Sequence, residues 1–194
     1  MIAFPQDKKM NKKQLIVAWV SVFLLSISVC WAEEPEENVD WDKIDARLFD
    51  TLKQDTGKSD AEIYQAIGLT HFKQEKWDRA EKYLKKAVEL NPKLQWSWYN
   101  LGLLDPDTEE GYNYFKKATE ANPRFSVPYY WMAYYRCRNR EDKKAIPLFK
   151  KYLEVAEAEK DPQEEGRIKV AKEALADLLA GKEGQSLSMM RRPK

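Results

Sequence analysis

The chain has 194 residues, and its 33 lysines and arginines against 32 aspartates and glutamates leave a net charge of +1. A balance this close to neutral gives no electrostatic case for nucleic acid, which calls for a basic face. One histidine and two cysteines cannot assemble a zinc site unless several carboxylates join them at matching spacing, and no such spacing occurs.

The first element is a leader. Lys8, Lys9, Lys12 and Lys13 precede an uncharged run from Leu15 to Val29, and an acidic stretch begins at Glu33. This is the pattern of a secretory signal over residues 1–32, with Cys30 and Ala32 placed to direct a cut after Ala32. Retention as an anchor is the alternative, because extension to Ala32 approaches the ~18 apolar residues that can span a membrane. Lysines before the run and acids after it put the rest of the chain outside the cytoplasmic membrane in either case, in the periplasm or facing it. Lipid attachment at Cys30 is disfavoured, since Val29 stands where a small residue is wanted, and a signal of ordinary proportions would begin at Met10. Residues 1–32 hold four lysines and one aspartate, so their loss turns +1 into −2 and leaves Cys137 as the sole thiol. A single thiol excludes an internal disulfide, and a buried helical cysteine is the expected state.

Residues 33–58 read as an acidic linker containing Pro35 and then a helix. In that helix Val39, Trp41, Ile44, Leu48, Phe49 and Leu52 recur at helical spacing. Asp40 can cap it, Thr56-Gly57 ends it, and its apolar side is suited to cover the first repeat of the segment beyond residue 58. Ser59 with Glu62 then has the spacing of a capping box that opens the next helix.

From 59 to 160 the chain is similar to itself. Counting Ala61 as the first position, Ile67 and Gly68 fall at 7 and 8, and Ala80, Leu84, Ala87 and Pro92 at 20, 24, 27 and 32. A later stretch counted from Ser126 puts Ala133 at 8, Ala145 at 20, Phe149 at 24 and Tyr152 at 27. Between them Leu101 and Gly102 match forward from Gln95, whereas Gly111, Phe115, Ala118 and Pro123 match backward from the proline. The two counts differ by three residues, which places a deletion at the turn around Asp105-Pro106-Asp107. This pattern resembles the tetratricopeptide repeat, a helix–turn–helix unit with a period of about 34. The resemblance covers about 61–94, 95–125 and 126–159. It implies an all-α solenoid of stacked hairpins, and a binding surface rather than a catalytic pocket.

The same spacing has a physical reading. Small residues at positions 8 and 20 let two antiparallel helices approach, and Leu84, Phe115 and Phe149 fill the space beside the crossing. Pro92 and Pro123 stop helical runs, Pro147 sits near the start of its helix, and Gly111 is a weak helical position. Beyond the repeats, Asp161-Pro162 opens a capping helix over 161–181 with Ile168, Val170, Ala171, Ala174, Leu175, Leu178 and Leu179 on one face. Residues 182–194, with Arg191, Arg192 and Lys194, read as a solvated tail.

The resemblance also implies where a partner would lie, on the inner wall formed by the first helix of each repeat. In the first repeat that wall would hold Gln65, Leu69 and Phe72, and in the second Trp96, Tyr99 and Leu103, flanked by Asn100. In the third it would hold Tyr130, Tyr134 and Arg138. Members that clamp a carboxylate use Lys and Asn where this chain has Gln65 and Leu69, so that mode is set aside. The remaining aromatic wall suits a peptide or helix with apolar anchors. The expected function is an exported adaptor or scaffold for a protein or peptide partner, with the assembly of envelope complexes as one such role. The alternative is a homo-oligomer whose groove is filled by its own N-terminal helix or by another copy. His71 is expected to be packed. No nucleophile elbow, glycine-rich phosphate loop or nucleotide fingerprint is present, so no enzyme and no cofactor are expected.

Overall fold

A computed structural model describes residues 39–181; the leader, Met10, Cys30, the linker to residue 38 and the tail from residue 182 lie outside the described residues. The repeats lie in one compact unit, which begins at Lys43. The described residues form helices α1 (Trp41–Thr56), α2 (Asp60–Lys73), α3 (Trp77–Leu90), α4 (Gln95–Leu104) and α5 (Glu109–Ala121). They continue with α6 (Val127–Arg138), α7 (Asp142–Glu159), a short 3-10 turn (Pro162–Glu164) and α8 (Glu165–Leu179). No strand occurs among the described residues. The hairpins α2–α3, α4–α5 and α6–α7 are the three repeat units, and each packs on the next in chain order.

Local chemistry starts and stops these helices. The Glu62 N–H donates to Ser59 Oγ (3.4 Å) and the Ser59 N–H donates to Glu62 Oε2 (2.9 Å), a reciprocal cap that satisfies two otherwise orphaned donors of α2. Thr108 caps α5 by accepting from the Gly111 N–H (3.1 Å). Between hairpins one device appears twice. Asn91 Oδ1 accepts from the Lys93 N–H and Asn122 Oδ1 from the Arg124 N–H, each at 3.0 Å, bracketing Pro92 and Pro123. The proline carbonyls then accept from Trp98 Nε1 (2.9 Å) and from the Tyr129 hydroxyl (3.3 Å), so the copies agree in hydrogen bonding as well as in apolar spacing.

Close packing explains the small residues. A Cβ on Gly68 would meet Leu84 Cγ at 2.8 Å, and one on Gly102 would meet the Phe115 ring at 2.6 Å. In the third hairpin Ala133 and Phe149 are fully buried. Removing a side chain the size of Phe115 or Phe149 from water contributes about 1.5–3 kcal/mol. The middle hairpin is the irregular one. Helix α4 has 10 residues against 14 in α2, about one turn less. The shortened turn brings the Asp105 carbonyl toward α5, where a Cβ on Gly111 would lie 2.1 Å from it. The repeats on either side carry Ala80 and Ala145 there.

Helix α1 covers the first hairpin through Leu48, Phe49 and Leu52, which pack with Ile63, Ile67 and Tyr83. A buried polar contact fixes this arrangement. Asp45, 3% exposed, bonds His71 Nε2 (2.8 Å) and accepts from Arg79 Nη1 (2.9 Å). At the other end Ala171, Ala174 and Leu178 of α8 join the core of the third hairpin. Gly181, at φ +71, follows α8 in the left-handed conformation that glycine tolerates.

Candidate functional site

The first helices of adjacent hairpins meet directly. Ser97 on α4 is fully buried and donates its hydroxyl to Gln65 Oε1 on α2 at 2.9 Å. That bond draws together two elements of the expected wall. Leu69 and Phe72 are half-buried against the cluster of Ala80, Leu84, Val88 and Leu101. Asn100 is buried, and its Nδ2 donates to the Trp96 carbonyl at 2.8 Å, so its side chain is spent on its own helix.

Exposure divides the aromatic set. Trp96 is 48% exposed, with its ring tilted against Phe125 (centroids 4.5 Å) and edge-on to Tyr99 (6.0 Å). Tyr99 is half-buried and packs in turn on Phe125 (5.3 Å) and Phe115 (6.0 Å). Burial pushes the Tyr99 phenol above its ordinary range, and the Arg167 guanidinium opposes that shift. Leu103 is half-buried against the large core of the third hairpin.

Tyr130 and Tyr134 do not form an open wall. They are 7% and 6% exposed and belong to a core shared with Phe149, Tyr152 and α8. Tyr130 meets Tyr152 (5.4 Å) and Phe149 (6.1 Å) edge-on, and the Arg167 guanidinium of α8 lies 5.7 Å from its ring centre. The reason is positional. α8 follows the third hairpin where a further first helix would stack, and it turns a wall position into an interior one. Burial raises the Tyr130 phenol to about 12. Glu164, buried at the start of this segment, accepts from the Tyr152 hydroxyl at 2.8 Å and pairs with Arg167. Arg138 is exposed; its Nη1 donates to the Tyr134 oxygen at 3.4 Å, and its Nε lies 3.5 Å from Asp107 Oδ1.

What survives as an accessible aromatic feature is therefore the edge built on Trp96, with Tyr99 and Phe125 beneath it. Phe125 is absent from the wall inferred from the repeat pattern because it falls between hairpins, just after Pro123. The signal available for it was an aromatic standing two residues past the helix-stopping proline, where the chain enters the next unit.

Residues 61–94, α2 and α3 with their flanks, match the family model of the tetratricopeptide repeat. The chain folds as a tetratricopeptide-repeat solenoid. Solved structures with the same fold include the tetratricopeptide-repeat domain of Arabidopsis OM64, at 19% identity and TM-score 0.51, covering 60% of this chain and 94% of that one. The TPR2B domain of yeast Sti1, solved as a complex with pHsp70, is similar at 17% identity and TM-score 0.52, covering 62% and 97%. MamA is similar at 21% identity and TM-score 0.51, covering 77% and 88%. No curated protein matches the chain in sequence. Tetratricopeptide solenoids of this kind are interaction modules, with faces of stacked hairpins that serve as extended binding surfaces. Among the described residues no helix is long and apolar enough to cross a membrane.

Proposed function

We propose that this chain is an exported interaction scaffold that grips an apolar-anchored peptide or helix of a protein partner at its Trp96 edge. The observation that carries the reading is the exposure of Trp96. An indole held on Phe125 and Tyr99 presents a large, rigid, half-wet surface, the kind of group that anchors interfaces at low entropic cost. Gln65, Leu69, Phe72 and Leu103, half-buried on α2 and α4, are the further positions the repeat pattern assigns to that face. The residues of the third hairpin contribute stiffness instead, since Tyr130 and Tyr134 are buried in the core shared by that hairpin and α8, and the Arg167 guanidinium of α8 sits over the Tyr130 ring. Export rests on the charge and hydropathy pattern of residues 1–32, and the assembly of envelope complexes is one role that such a location would allow.

The test is site-specific photocrosslinking in the native host, with a photoreactive phenylalanine at position 96 and, as control, at the exposed position 165. A discrete crosslinked partner from position 96 and none from 165 supports the scaffold. A crosslink at twice the chain's own mass identifies the homo-oligomer, and the absence of any position-specific product refutes the site. Mass determination of the chain recovered from the periplasmic fraction tests export separately, with a mature N-terminus at Glu33 as the expected result.

A further inference from the structure

The turn deleted from the middle repeat leaves a space in the protein. Consecutive helices of the solenoid run antiparallel, so the C-terminal end of α4 lies beside the N-terminal end of α3. With α4 one turn short, that end of α3 loses its neighbour. A cleft of about 280 Å³ opens there, bounded by Trp77, Asp78 and Glu81 of α3, by the end of α4, and by Glu110 and Tyr114 of α5. Its lining includes none of Trp96, Tyr99 and Phe125.

Three features of the cleft point to one chemistry. Trp77 is 49% exposed on its wall and packs near-perpendicular to Phe72 at 5.3 Å, so about half of its indole surface is left to solvent. Asp78, Glu81, Asp105 and Glu110 put four carboxylate residues in the lining, and Lys85 is paired with Glu81 at 2.6 Å. Tyr114 donates its hydroxyl to Glu110 Oε1 at 2.6 Å, which holds one oxygen of that lining carboxylate. Rigid aromatic surface under an excess of negative charge favours a planar cation. A guanidinium can stack on the indole while its edge donates to carboxylates, which a compact ammonium does less well.

We propose that this cleft is a second docking site, which takes an arginine side chain from a basic segment of a partner protein. Its volume admits one long side chain, so the site reads a residue rather than a surface. It acts independently of the Trp96 edge, and the failure of either site leaves the other standing.

The probe is the tripeptide Ac-Ala-Arg-Ala-NH2, titrated at low salt into the full chain labelled with nitrogen-15, with the indole N–H resonances of Trp77 and Trp96 as readouts. The arginine peptide is expected to shift the Trp77 resonance saturably while the Trp96 resonance stays in place. The citrulline analogue has the same shape without charge, and it should bind at least about tenfold more weakly, as should the arginine peptide to the E81Q/E110Q variant. Circular-dichroism melting shows whether that variant is folded; if it is not, the citrulline comparison on the wild type decides alone. Equal response to citrulline, a shift that never saturates, or equal movement of Trp96 overturns the proposal. Binding that appears only after residues 182–194 are removed also overturns it, because the occupant is then the chain's own basic end.

Discussion

Replacing Gly111 by alanine tests the packing of the shortened repeat against helix propensity, because the two predict opposite signs. Gly111 lies in the first turn of α5. On propensity alone alanine there should stabilise, by up to about 1 kcal/mol. The structure opposes this. A Cβ at residue 111 would stand 2.1 Å from the Asp105 carbonyl oxygen and 3.2 Å from that of Gly102. Both are backbone atoms at the end of α4, so no side-chain rotation relieves the clash. The hairpin must open, and overpacking of this kind costs about 1–3 kcal/mol, with the upper half applying where backbone must move. The net expectation is a loss of about 1–2 kcal/mol after the propensity gain is offset. Gly166 in α8 supplies the contrast, since a Cβ there meets nothing within 4 Å. Gly166→Ala should stabilise by a few tenths to about 1 kcal/mol. Urea unfolding followed by circular dichroism gives both values on one scale. A G111A variant as stable as wild type would refute the close approach of α4 and α5. Equal losses in G111A and G166A would mean that the substitutions act on something other than this crossing.

Alkaline pH should destabilise the fold through its buried tyrosines. An unfolded tyrosine ionises near 10, whereas burial raises Tyr130 to about 12 and also raises Tyr152 and Tyr99. The folded state therefore holds protons that the unfolded state has lost. Stability is complete below pH 10 and falls as pH rises toward 12, with Tyr130 alone accounting for about 3 kcal/mol. Thermal melts from mildly to strongly alkaline pH measure the fall, and Tyr130→Phe should flatten it; a melt curve unchanged by that substitution contradicts the burial. Asp45→Ala should cost about 2–4 kcal/mol, because it removes the buried carboxylate that His71 and Arg79 share. Lys53→Ala, which breaks the exposed pair with Asp60, should change stability by less than about 1 kcal/mol. Comparable losses in the two would show that α1 is not pinned by the Asp45 cluster.

Much of the fold could be read from local pattern, for a physical reason. In a solenoid each unit touches its sequence neighbours, so core positions recur at a fixed interval and can be counted. Gly68, Ala80, Leu84 and Ala87 stand in one repeat as Gly102, Gly111, Phe115 and Ala118 stand in the next, and every one of them is buried. The Ser59–Glu62 cap and the helix stops at Pro92 and Pro123 likewise depend on residues within a few positions of one another. Even the three-residue mismatch in the middle repeat was countable, although not its consequence.

The site was harder to read, because facing depends on what stacks beyond each helix. By itself the sequence determined an all-α chain of three stacked hairpins, one of them shortened, since repeat spacing and helix breakers act over short distances. The tertiary structure alone decided which rings stay open to a partner. α8 brings Arg167 over the Tyr130 ring, the hairpin junction sets Phe125 beneath Trp96, and Trp77 stays half-exposed in the cleft beside the end of α4. In each case a residue's exposure is fixed by a neighbour distant in the chain, and no count along one helix contains that neighbour.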